Sequence, residues 1–285
     1  MSASDPGATG KGRGGFGTDL VPRILSSLIL VPVTVFTLVA GGLWFAVLVG
    51  LVFAGVYREW DAMVTSQKPS WLSNVLAGLI ALSAFSYPIG DILASLGILT
   101  IAVVLVTLFG RGARVWRLAG LVFTGAVVIA VLSIRGTGSA GIFAGVFLAC
   151  TVWMTDTGAF FAGRQFGGAK LSPDISPSKT WSGALGGLLT GTLCALIVWL
   201  FATASPWWIG VILGVTLSVA GQGGDLVESW AKRRFRIKDS GDILPGHGGL
   251  MDRLDSLSFA ALVLFVVGAV HGGLHNVANG FLFWF

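Results

Sequence analysis

Asp225, Glu228, Ser229 and Lys232 follow one another at steps of three and four residues. That spacing puts side chains on one face of a helix. Asp252, Asp255 and Ser256 repeat it at the head of a later apolar run. Carboxylates brought together from two helix ends offer oxygen ligands, which hard divalent cations prefer. Beside them stand Lys232, Arg233, Lys238 and Arg253, cations suited to neutralising phosphates. Gly246, Gly248 and Gly249 surround His247, and residues without a Cβ let backbone come close to a ligand. Mixed charge between two apolar runs usually means a solvated connector. Here the carboxylates sit where apolar runs begin or end, where charge is costly unless it has a use.

A second polar segment runs from Asp156 to Trp181. Asp156 interrupts the run Val-Trp-Met-Thr-Asp-Thr-Gly-Ala-Phe-Phe, and an ionisable residue in such a run is a functional candidate. Arg164 follows, then Leu-Ser-Pro-Asp-Ile-Ser-Pro-Ser-Lys-Thr-Trp. Pro173 and Pro177 restrain this stretch to an extended turn, able to aim Ser176, Ser178, Lys179 and Thr180 at a phosphate. A plain proline-bounded loop is the competing reading.

The elements that must carry these residues are set by composition. Of 285 residues 54% are hydrophobic and only 11% charged, with a mean hydropathy of +0.86. Soluble domains are usually about 25% charged, so lipid is the solvent for most of this chain. The 42 glycines fit close packing between membrane helices. Apolar runs at about 24–40, 43–57, 72–87, 92–109, 118–134, 141–162, 183–203, 206–221 and 257–283 predict an all-α polytopic membrane protein of about nine transmembrane helices. Residues 1–19 hold little to bury and read as a disordered cytoplasmic tail; residues 20–285 read as one helical membrane domain.

With the N-terminus cytoplasmic, all but one of the 18 Lys and Arg fall on the cytoplasmic side, Arg135 being the exception; that bias follows the positive-inside rule. It places the polar segment 222–255 on the cytoplasmic face. A pI near 9.6 comes without a basic stripe interleaved with aromatics, so nucleic acid is excluded as a partner. A transporter using Asp156 and Asp225 as ion sites would spread polar residues along several spans, and the early runs carry almost none. Cys150 and Cys194 read as separate core hydrophobes, His271 and His275 as interfacial or core histidines, and Glu59-Trp60 as a feature just past the end of the second span.

The run Ser229-x-x-Lys232-Arg233, Lys238-Asp239, Pro245-x-His247-Gly248-Gly249 and Asp252-Arg253-x-Asp255 resembles the signature of the phosphatidate cytidylyltransferase (CDP-diacylglycerol synthase) family. The likeness extends to Gln222-x-Gly224-Asp225-Leu226, Asp156-Thr157-Gly158-Ala159, Gly163-Arg164, Ser176-Pro177-x-Lys179-Thr180-Trp181 and Leu132-Ser133-Ile134-Arg135. These motifs mark about 130–285 as the catalytic half. Ser182 stands where that family commonly carries Glu. The resemblance implies transfer of a cytidylyl group from CTP to phosphatidic acid, with CDP-diacylglycerol and pyrophosphate as products, at a bacterial-type inner membrane. It implies Mg2+, two ions, ligated by Asp225 and Asp252 with Glu228 and Asp255 beside them. Asp225, Asp252, Lys232, Asp255 and His247 are then the expected catalytic residues. Asp156, Arg164, Ser176, Ser178, Lys179, Thr180, Ser229, Arg233, Lys238, Asp239 and Arg253 are the expected substrate contacts. A polyprenol kinase or ether-lipid cytidylyltransferase is the alternative within the same chemistry. The glycine-rich spans also leave room for a homodimer.

Overall fold

The computed structural model describes residues 20–241 and 248–284, with side chains from residue 28 onward. The predicted tail 1–19 and His247 lie outside the described residues. Among these, helices α1 (Leu20–Ala40), α2 (Gly42–Thr65), α3 (Trp71–Phe109), α4 (Arg114–Arg135) and α5 (Ser139–Phe166) precede a β-hairpin, β1 (Lys170–Ser172) with β2 (Ser176–Thr180). Helices α6 (Trp181–Ala202), α7 (Trp207–Arg234), α8 (Met251–Gly272) and α9 (Val277–Leu282) follow. Seven of the described helices are long and apolar enough to cross a membrane. Leu93, Phe201 and Val270 stay largely exposed on the outside of the bundle, as expected of side chains whose solvent is lipid.

Four predicted runs change shape. The runs 72–87 and 92–109 together make up α3, which is broken at Gly90 and Asp91 by non-helical backbone. The Ser95 hydroxyl donates to the carbonyl of Ser83 at 2.7 Å. Twelve residues of straight helix would separate them by about 18 Å, so α3 is a hairpin of two antiparallel limbs. The run 206–221 continues as helix to Arg234, because no Pro follows Gln222 to break it and Gly221 and Gly224 permit close packing, Gly221 beside Ser256 and Gly224 directly against Phe259. The expected last span, 257–283, instead starts at Met251 and stops at Gly272. Gly273 takes φ 80°, a conformation glycine adopts at little cost, and α9 folds back so that Gly280 meets Gly268 and Gly272.

Two ends of the bundle can be told apart. At one end Arg135 is buried and donates to the carbonyls of Leu38 (2.5 Å), Val39 (2.9 Å), Gly136 and Gly138. It thereby satisfies the last carbonyls of α1, which no water would reach in lipid. Asp91 and His275 face each other near this end at 3.2 Å. His271 turns elsewhere, stacked on Trp284 and bonded to the Gly280 carbonyl, so the two histidines do not converge. The other end gathers the C-terminal turns of α2, α5 and α7, the N-terminal turns of α4, α6 and α8, and the β-hairpin. Both polar segments are there.

Close packing of α5 on α6 sets the spacing at that end. A Cβ on Gly183 would stand 2.9 Å from the carbonyl oxygen of Ala159, and one on Gly187 2.5 Å from that of Thr155. Substitution at either would push Asp156, on α5, away from Lys179, just ahead of α6. Cys150 and Cys194 interact side chain to side chain across the same interface while remaining free thiols, a proximity the sequence reading did not expect.

Candidate active site

Helix α7 spans 28 residues, about 42 Å at 1.5 Å per residue against a hydrocarbon core of about 30 Å. Its exposed Trp207 and Trp208 suit one interface, and its charged last turns therefore reach the other. Asp225 and Glu228 come from those turns, and Asp255 from the second turn of α8. Carboxylate oxygens of these three lie within 4.8 Å of one another. Glu228 is buried, and its Oε1 has no hydrogen-bond partner. Such a grouping is electrostatically unfavourable by itself, and its all-oxygen donor set fits a hard cation.

Asp252 sits beside this group but is engaged otherwise. Its Oδ1 accepts from Lys232 Nζ at 2.7 Å and its Oδ2 from the Ser240 backbone N–H at 3.2 Å. Lys232 also approaches Glu228 at 3.4 Å, one helical turn away. Ser229 donates toward Asp225 at 3.4 Å. Of the four predicted metal ligands, three are brought together, and the fourth is paired with the predicted catalytic lysine.

The second polar segment is folded onto the first by the hairpin. Lys170 pairs with Thr180, and Ser172 with Ser176. Thr180 is buried and caps α6, accepting from the Gly183 N–H at 3.1 Å, the role of a Thr with extended backbone at a helix start. Ser182 bonds to Thr180 (3.1 Å) and donates to the Gly167 carbonyl, tying off the base of the hairpin. Lys179 emerges from this strand and meets Asp225 at 2.5 Å. A cavity of about 520 Å³ lies between the segments, lined by Asp156, Arg164, Ser178, Lys179, Thr180, Gln222 and Asp225 among others. Ser176 does not line it. Arg233, exposed, donates toward the Ile175 carbonyl at 3.4 Å, and Lys238, Asp239 and Arg253 are exposed at the same end.

A second cavity, about 210 Å³ and almost wholly apolar, lies beside the acidic group. Val56, Trp60, Phe123, Val227 and Phe259 are among its walls, and Glu228 and Asp255 close one side. Val227 and Trp230, in its wall, are also exposed, so this cavity reaches the surface of the bundle.

Sequence reasoning missed the contribution of α2. Glu59 lies inside α2, buried, and not beyond its end. It accepts from the backbone N–H groups of Leu250 and Met251 at the start of α8. Asp61, two residues on, forms a buried ion pair with Arg117 of α4 at 2.7 Å, and Trp60 donates to the Trp116 carbonyl. The available signal was an acid-aromatic-acid run directly continuing an apolar span.

The cytidylyltransferase family pattern matches residues 21–271. The chain belongs to the cytidylyltransferase family. It is 35% identical over 261 residues to a phosphatidate cytidylyltransferase of Brucella suis, covering 89% of this chain and 94% of that one. A phosphatidate cytidylyltransferase of Bacillus subtilis is 33% identical over 266 residues, 88% of this chain and 98% of its own. One from Staphylococcus epidermidis is 48% identical over 120 residues, 42% of this chain and 46% of its own. The family match takes in every described residue of both cavities.

Proposed function

We propose that this cytidylyltransferase forms CDP-diacylglycerol and pyrophosphate from CTP and phosphatidic acid, within the membrane and at its cytoplasmic face. The observation that carries this is the pair of cavities sharing one acidic group. The polar one, with Lys179 and Arg164 in its wall, suits a triphosphate. The apolar one, open to lipid beside Glu228 and Asp255, suits the hydrocarbon of a substrate that never leaves the bilayer. The positive-inside bias supports the cytoplasmic assignment of this end.

In the reaction an oxygen of the lipid phosphate attacks the α-phosphorus of CTP, the bond from that phosphorus to the bridging oxygen breaks, and pyrophosphate departs with the electron pair. A phosphate oxygen is nucleophilic enough near neutral pH that no strong base is required. Catalysis is then positioning and charge neutralisation. Lys179 and Arg164 hold and neutralise the triphosphate, Lys179 exchanging its contact with Asp225 for a phosphate oxygen. Lys232, held by Asp252 and Glu228, keeps positive charge beside the acidic group. Asp225, Glu228 and Asp255, with Asp252 next to them, are the residues that would hold Mg2+, two ions in our reading. Bound there, Mg2+ neutralises phosphate oxygens and polarises phosphorus toward attack.

The test is an assay of the purified protein with CTP and phosphatidic acid, following CDP-diacylglycerol and pyrophosphate. Both products in equal amounts are expected. Phosphorylation of a lipid alcohol without CDP-diacylglycerol would overturn the proposal.

A further inference from the structure

Helix α8 begins without a capping side chain of its own: its N-cap residue is Leu250, which has no oxygen to offer. The first N–H groups of a helix need partners, and here they are buried. Glu59, 4% exposed, supplies them from α2. Its Oε1 accepts from Leu250 N–H at 3.0 Å, and its Oε2 from Met251 N–H at 2.8 Å. Oε2 also accepts from the Ser240 hydroxyl at 3.3 Å. The connector between α7 and α8 is moulded to the same carboxylate. A Cβ added to Gly241 would stand 2.9 Å from Glu59 Oε1, and one on Gly249 2.9 Å from Oε2. Ser240 is gripped from its other side by Asp252, which takes its backbone N–H.

One buried carboxylate therefore ties α2, the connector and the first turn of α8 together. Asp252 follows Met251 directly, and Asp255 lies one turn further. A slip of that turn would move both against Asp225, Glu228 and Lys232 on α7, and misplacement of about 1 Å can cost about a hundredfold in rate. We propose that Glu59 is a positioning residue for the transfer reaction: it sets the register of the α8 N-terminus and so the placement of Asp252 and Asp255. The inference rests on the cytidylyl-transfer reading above. It extends the functional machinery to the N-terminal spans, ahead of residues 130–285 where the recognisable motifs lie.

The decisive variant is Glu59→Gln in the full chain. Gln keeps the size and one acceptor oxygen, but its amide nitrogen cannot accept from a backbone N–H. Amide hydrogen exchange across 248–256 is expected to accelerate at least about tenfold, the scale of a lost charge-assisted hydrogen bond, while α5 and α6 exchange as in the parent protein. Turnover is expected to fall about 30-fold or more, with KM for CTP and for phosphatidic acid each within about threefold, because only the arrangement of reacting groups is disturbed. Gly241→Ala leaves Glu59 in place but crowds its carboxylate, and should give the same local signature with a smaller loss of kcat. Parent-like exchange at 248–256 in both variants, acceleration spread through α3 to α6, or turnover within about threefold of the parent would each overturn the proposal. If the parent protein forms no CDP-diacylglycerol, the reaction reading fails at that control, while the exchange comparison still judges the clamp by itself.

Discussion

Lys179 and Asp225 meet at 2.5 Å, although 46 positions of sequence, including all of α6, separate a strand of the β-hairpin from the interior of α7. Together with the contact of Arg233 to the Ile175 carbonyl, this pair joins the two charged segments into a single site. Both side chains are partly exposed, 24% and 33%, so water screens the pair and its worth to stability is under about 1 kcal/mol. Its value lies in the charge it presents. Lys179→Met is expected to lower kcat/KM for CTP by about 100-fold or more, the scale of one preorganised electrostatic contact, with thermal stability nearly unchanged. Steady-state kinetics at varied CTP, alongside a melting curve, separate the two effects. A loss of stability without a loss in kcat/KM would count against the site.

The grouping of Asp225, Glu228 and Asp255 predicts a direct metal phenotype. Asp225→Asn and Asp255→Asn should weaken Mn2+ binding to the purified protein, measured by electron paramagnetic resonance without substrate, by at least about tenfold. Each should cut Mg2+-supported turnover by about 100-fold or more, and chelation of divalent ions should stop the parent protein altogether. Asp252→Asn is expected to be as inactive for an added reason: it removes the negative charge facing Lys232 at 2.7 Å and leaves one acceptor oxygen for the two contacts made by Lys232 and the Ser240 N–H. All three should keep the parent's elution profile and melting behaviour. Near-normal activity in Asp225→Asn and Asp252→Asn together would remove the metal assignment.

Asp61 and Arg117 give a stability prediction with no bearing on chemistry. Their side chains are 1% and 9% exposed, between α2 and α4. Removing one partner strands a buried charge, so Asp61→Leu alone should cost about 3–5 kcal/mol. Asp61→Leu combined with Arg117→Leu replaces the pair by apolar volume and should recover most of that loss. A denaturation series on the two single variants and the double variant measures the coupling. Additive losses would show that the pair is not energetically linked.

How much of this was legible in the sequence follows from the range of each signal. Apolar runs depend only on local composition, so the helices appear where expected, and the i, i+3, i+4 spacing did group Asp225 with Glu228. The ends of runs are less legible, because a helix in a bundle continues while packing supports it. Gly221 and Gly224, packed on Ser256 and Phe259, carry α7 on to Arg234, and Gly273 ends α8 inside the run 257–283. Partner choice was not legible. Whether Asp252 turns toward the acidic group or toward Lys232 is a matter of side-chain geometry, and the Glu59 contacts span 191 and 192 residues. Local pattern carries no record of contacts made across that distance.

The apolar cavity makes the last prediction, because the proposed function puts lipid and nucleotide against different walls. Val227 and Ala119 line it, and neither touches the polar cavity. Val227→Phe or Ala119→Phe should fill part of its 210 Å³ and exclude a few methylenes of a bound acyl chain. At about 0.8 kcal/mol per buried methylene, losing two would lower kcat/KM for a long-chain phosphatidic acid about tenfold. KM for CTP should stay within about twofold. A dioctanoyl substrate should suffer less than a dioleoyl one, since a shorter tail gives up fewer contacts in the filled cavity. The ratio of the two lipid efficiencies in detergent micelles of fixed composition is the informative quantity. If both lipids lose equally, or if CTP binding weakens instead, the tail does not lie there, and the polar cavity must serve both substrates.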